Sequence, residues 1–248
     1  MIPHDTGHLW SSVRERASAD GIRWLKETSE AVNLNPGAIV AAFPAVGREV
    51  GRMTLDPLAD PDDPHAWRLD DAGRALLLVA IGDRAGEEIG ELYRHGDANE
   101  RRGVLRALPL LPVEDSAVPL VKDAIRTNDT NLIVAALGPY AIERLDDAAL
   151  AQAVLKCVFV GVRISPLDGL EDRTTPEMAR MLADYAHERI AAERDVPAEV
   201  WPVIERFPPE EEIEAIFSEL DHPIAARRHA AERALRDSHL LRSRDANI

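Results

Sequence analysis

The chain has 248 residues, 46% of them hydrophobic but only 4% aromatic, and a formal net charge of −15 at pH 7. That length allows one large domain or two small ones, and a core short of aromatics must be filled by Ala, Leu and Val, which suits helix packing. So negative a chain lacks the basic footprint of a nucleic-acid binder and would be repelled by anionic lipid.

The N-terminus has no basic region followed by an apolar run, so no signal peptide is expected. A first helix is predicted from Thr6 to about Val32, with Trp10, Val13, Ala17, Gly21, Trp24, Thr28 and Ala31 on one stripe. Asn35-Pro36 reads as an N-cap followed by proline at the first helical position. Pro44 should kink or restart the helix that follows. Its continuation carries two Gly-Arg pairs, Gly47-Arg48 and Gly51-Arg52. Four residues apart, the arginines share one helical face and the glycines the neighbouring one. Forked guanidinium donors beside backbone open to close approach make Arg48 and Arg52 candidate anion-binding residues.

Residues 56–69 read as an irregular, exposed acidic loop. Its prolines alternate with aspartates, but it lacks the glycine and terminal glutamate of a calcium loop. Short helices follow. Asp70 or Asp71 caps the run Leu76 to Ile81, and Gly96 stops a helix carrying Ile89, Leu92 and Tyr93. Asp97 to Glu100 forms a capping box for the run Val104 to Leu111. Further helices are expected over Val118 to Ile125, over Leu132 to Leu137 (capped by Asn128 or Asp129) and from Asp146 or Asp147 through Val162. Thr174-Thr175-Pro176-Glu177 opens a long helix to about Arg194. Pro197, Pro208-Pro209 and Pro223 open the last three, and residues 241–248 are expected to form a disordered tail.

No segment alternates as a strand should, and Val158 to Ile164 continues a helical pattern. The expected fold is therefore all-α: one domain over 1–248, with about a dozen helices stacked as antiparallel pairs in an α-α superhelix of the HEAT or armadillo kind. No apolar stretch reaches the roughly 18 residues of a membrane span, so no direct membrane insertion is expected. The single cysteine, Cys157, allows no disulfide within the chain, which suits the cytoplasm. It lies among Leu155, Val158 and Phe159 and reads as a buried, inert thiol.

Several polar residues fall where the pattern wants apolar ones. Arg101 points between Val104 and Leu108. Arg189 points into the face defined by Met178, Met181, Leu182, Tyr185 and Ala192, while Arg180, Asp184, His187 and Glu188 lie opposite. Lys156 sits in the most apolar helix beside Gln152. Inward arginines need carboxylates or an anion, so these positions are either ion pairs between helices or the lining of an anion pocket. Candidate ligand-binding residues are thus Arg48, Arg52, Arg101, Lys156, Asp184, Tyr185, Glu188 and Arg189. No metal spacing, phosphate loop or nucleophile elbow is present, so neither catalytic residue nor cofactor is assigned.

The strings NPGAIVAAFPAVGREVGR (35–52), GDANERRGVLRALPLLP (96–112), AIRTND (124–129), AVLKCVFVGV (153–162), GLEDR (169–173) and MARMLADYAHERIAAERDVPAEVW (178–201) resemble the EboA family of bacterial gene clusters tied to traffic of secondary metabolites. The resemblance covers most of residues 10–206. It implies an all-helical, non-catalytic accessory protein that scaffolds or binds a small metabolite or precursor. The implied partners are other products of the cluster: a prenyltransferase-like membrane protein, a sugar-isomerase-like protein and a dehydroquinate-synthase-like protein. No catalytic residue follows from it. The alternative is an enzyme on an anionic intermediate, with Arg48 and Arg52 holding the anion and Asp184 or Glu188 doing acid–base work. A DNA-reading helical repeat like the alkylpurine glycosylases conflicts with the net charge.

Overall fold

A computed structural model describes residues 5–236 and 238–240. The tail expected over 241–248 lies outside the described residues. Within them the protein is all-α, with fourteen α-helices joined by short turns and 3₁₀ segments. The one β feature among the described residues is an isolated bridge between Thr54 and Arg68. By its contacts the chain divides into two compact units, Met1–Arg144 and Leu145–Ile248.

The first unit contains α1 (Thr6–Arg16), α2 (Ala19–Leu34), α3 (Ile39–Glu49), α4 (Leu69–Ile81), α5 (Ala85–His95), α6 (Ala98–Ala107), α7 (Val118–Arg126), α8 (Thr130–Ala136) and α9 (Pro139–Arg144). The single helix expected over 6–32 is two. Ala17 is extended, and the Ser18 hydroxyl takes the Gly21 amide at 3.0 Å, restarting the helix. Pro44, by contrast, interrupts nothing: it lies on the exposed side of α3, where water can serve the carbonyl it leaves unpaired. Gly51 has φ 107°, a conformation that favours glycine, so the chain leaves α3 there and the second Gly-Arg pair is not helical.

Helix α4 is the centre of this unit, packing against α1, α2, α3, α5 and α6. It is buried almost all round, and so are two acids in its first turn, Asp70 and Asp71. Neither is a surface cap. Asp70 accepts from Arg74 Nη1 at 2.7 Å. Asp71 accepts from Arg102 Nε at 2.8 Å and from the Arg68 backbone amide at 3.1 Å, with Arg106 Nη1 at 3.4 Å. Arg74, Arg102 and Arg106 are themselves buried, and burial lowers the pKa of the Arg106 guanidinium. This network clamps α4 to α6. It also secures the acidic loop, because Arg106 Nη2 donates to Pro64 O at 2.8 Å while its guanidinium stacks 5.2 Å from the Trp67 ring centre. Backbone bonds from Leu55 to Trp67 and from Leu69 to Met53 close the neck of the loop.

The second unit contains α10 (Asp147–Phe159), α11 (Pro176–Ala191), α12 (Trp201–Arg206), α13 (Glu210–Ser218) and α14 (Ala225–Arg236). Here α11 is central and packs against α10, α12, α13 and α14. The starts of the first two are written locally. Asp146 accepts from the Ala149 amide at 2.7 Å, and Thr175 from Met178 at 3.2 Å with Pro176 at the first helical position. Helix α10 ends at Phe159, three residues short of the expected Val162, because the chain turns through Gly161 at φ 77°. A buried carboxylate, Glu219, ties α11 to α14 by accepting from Arg227 Nε at 2.7 Å and standing 3.2 Å from His187 Nε2.

Cys157 is fully buried, and burial, with a smaller contribution from Glu199, pushes its thiol up to about 12. Thiolate is the reactive form, so Cys157 should resist iodoacetamide in the native protein at mildly alkaline pH and be alkylated once the chain is unfolded, as read by intact mass. Native labelling as fast as that of the denatured chain would contradict this burial.

Candidate functional site

Four of the eight candidate residues meet in one place. The outer faces of α10 and α11 flank an open groove of about 370 Å³, lined by Gln152, Leu155, Lys156 and Phe159 from α10 and by Met181, Asp184, Tyr185 and Glu188 from α11. Both sets share one spacing, with steps of three, one and three residues, which is a single stripe on each helix. Each stripe mixes apolar and polar groups because it lies at the edge of the helix–helix seam. The inner faces are apolar, with Ala153, Val154 and Cys157 on α10 and Met178, Leu182 and Ala186 on α11 fully buried.

The lining combines two chemistries, and each helix contributes to both. Leu155, Phe159, Met181 and the ring of Tyr185 supply an apolar strip. Phe159 is 74% exposed, an unusual position for so large an apolar side chain in a chain this poor in aromatics. Tyr185 is held in place, since its hydroxyl donates to Val158 O at 3.3 Å. The polar edge carries Lys156, Asp184, Glu188 and Gln152. Asp184 is oriented by Arg180 Nη1 at 2.8 Å, and Arg180 also grips Glu177 at 2.7 Å. A cation and two carboxylates along an apolar strip make a surface for a small amphipathic molecule.

The other four candidates lie outside this groove. Arg48 is exposed and donates to Glu49 at 3.0 Å. Arg52, also exposed, folds its guanidinium over Gly47, where a Cβ would stand 2.7 Å from Nε. The two do not share one helical face, because α3 ends at Glu49 before Arg52. Arg101 caps the end of α5, donating to Gly96 O at 3.0 Å and Arg94 O at 3.3 Å across the Tyr93 ring. Arg189 packs on the Tyr185 ring at 5.9 Å, but its Nε goes to Asp195 O at 2.8 Å, so it serves the end of α11 and does not line the groove.

The buried arginines of the first unit are Arg74 on α4 and Arg102 and Arg106 on α6; on α6 the inward positions are thus Arg102 and Arg106, not Arg101. Periodicity missed them because α6 is buried on nearly every side from Arg102 to Ala107, which leaves no polar stripe to contrast with an apolar one. A usable signal was present: Asp70-Asp71 and Arg102 with Arg106 are acid and base sets that each fit one helical turn.

Residues 6–205 match the family model described as Metabolite traffic protein EboA, a span that includes the whole α10–α11 groove. The chain belongs to the EboA family. No curated protein and no solved structure matches it. For this EboA-family protein the family description supports a role in metabolite traffic. Among the described residues no helix is long and apolar enough to span a bilayer.

Proposed function

We propose that this EboA-family protein is a non-catalytic accessory factor that binds a small amphipathic metabolite or precursor in the α10–α11 groove and presents it to other products of its gene cluster. Those partners are the prenyltransferase-like membrane protein and the isomerase-like protein, and the setting is the cytoplasm. The observation that carries the reading is the convergence of Lys156, Asp184, Tyr185 and Glu188 with an exposed Phe159 in one groove. Its volume lies within the range of small-molecule sites. An open groove suits a carrier, because a ligand that must be handed on has to leave without unfolding its holder. Catalysis on an anionic intermediate would have drawn on Arg48 and Arg52, and neither lines this groove.

Phe159→Asp tests it. The side chain is exposed, so the fold should survive, while burial of a phenylalanine against a ligand is worth about 1.5–3 kcal/mol, or tenfold and more in affinity. Wild-type protein purified from cells carrying the whole cluster should release a small molecule on denaturation, detected by mass spectrometry. Phe159→Asp should release about tenfold less, and Arg48→Ala as much as wild type. Empty wild-type protein, or equal loading of wild type and Phe159→Asp, would overturn the assignment.

A further inference from the structure

The second unit holds another, larger groove of about 790 Å³, lined from Ile164 to Thr174 on one side and by Glu199 and residues of α12 on the other. Its chemistry differs from that of the α10–α11 groove. Leu167, Leu170 and Val203 form a floor that is itself nearly buried, so the apolar surface is a backed wall and not a scatter of loose side chains. Around it stand four carboxylates, Asp168, Glu171, Glu199 and Glu205, with one guanidinium, Arg206. That cation is already committed to Glu171 at 3.2 Å. The walls are held in place: Glu199 accepts the Ser165 amide at 3.1 Å, and Thr174 Oγ1 donates to Leu170 O at 3.1 Å. Gly169, at φ 83°, turns the chain between Asp168 and Leu170, so a carboxylate and a floor residue both reach the groove from one tight bend.

We infer that this groove is a second binding site, selective for a cationic amphiphile: a small molecule with an ammonium or guanidinium head and an apolar body. Charge complementarity picks the head group. An anionic ligand would meet four carboxylates against a single guanidinium, and a neutral one would leave that excess of negative charge unmatched, since Glu171 is paired with Arg206 while Glu199 and Glu205 accept the neutral Ser165 and His239 amides. The apolar floor picks the body, which must be short enough for a cavity of this size. The site is independent of the α10–α11 groove, since the two share no lining residue.

The probes are octyltrimethylammonium, octanoate and octyl glucoside, used on the full chain below their micelle concentrations. Binding is read by calorimetry and by methyl NMR shifts of Leu167, Leu170 and Val203. Octyltrimethylammonium should bind with shifts at those methyls, octanoate should not bind, and the glucoside should bind at least about fivefold more weakly than the cation. Added salt should weaken the cation. Asp168→Asn, an exposed position, should weaken it about two- to fivefold. Phe159→Asp should leave it unchanged, which separates this inference from the carrier reading above. Equal affinity for all three probes, shifts confined to Leu155 and Met181, or binding of a basic peptide but not of octyltrimethylammonium would each overturn the assignment.

Discussion

Asp71→Ala is expected to destabilise the protein by about 3–5 kcal/mol, the range for removing one partner of a buried ion pair. Asp71 is fully buried, accepts from Arg102 Nε and the Arg68 amide, and forms an ion pair with Arg106 Nη1 at 3.4 Å. Without it two buried guanidinium groups are left with one remaining carboxylate, Asp70, which already binds Arg74 and stands 3.6 Å from Arg102. Neither arginine can shed its proton to escape, because guanidinium stays charged in proteins. Asp97→Ala gives the contrast. It removes an exposed capping box, in which Asp97 takes the Glu100 amide at 2.9 Å, and should cost only about 1 kcal/mol. Guanidinium unfolding followed by far-UV circular dichroism measures both. A loss for Asp71→Ala no larger than that for Asp97→Ala would mean that water reaches the cluster.

Trp201→Ala should cost a similar amount, about 3–5 kcal/mol, for a different reason. Trp201 is the largest fully buried side chain among the described residues and opens α12, which packs on α11. Its removal leaves a cavity that the surrounding helices cannot close. Trp201→Phe is the informative partner. It keeps much of the ring volume and deletes an indole N–H that is buried with no acceptor among the described residues, so part of the lost packing is offset by relief of an unsatisfied donor. The same unfolding assay should place Trp201→Phe well above Trp201→Ala in stability. Equal losses would show that the indole N–H is satisfied in solution. Neither position lines a groove, so binding by protein that remains folded should persist.

Local chemistry made most helix starts readable. The Asp97 and Glu100 capping box, Asp129 before α8, Asp146 before α10 and Thr175-Pro176 before α11 each act within four residues, and each is found where the pattern placed it. The break at Ala17-Ser18 was not readable, because the apolar stripe of α1 runs on in register into α2 and hides the cap between them. Pro44 misled in the opposite direction: its cost depends on whether the carbonyl it strands faces water, and that is a property of the packed helix.

The candidate groove shows the same division. The stripe Met181, Asp184, Tyr185, Glu188 and its match on α10 can be drawn on helical wheels, but no wheel shows that the two lie side by side. An all-α chain, most of its helix starts, its family and a buried, inert Cys157 were legible from the residues alone, because periodicity, capping and apolar neighbours act over a few residues. Packing between helices settled that Arg102 and Arg106 are the inward arginines of α6, that Arg48 turns to Glu49, and that Lys156 shares a groove with Asp184 and Glu188. Those outcomes depend on which faces meet across separate helices, and the faces are chosen by the burial of the whole core.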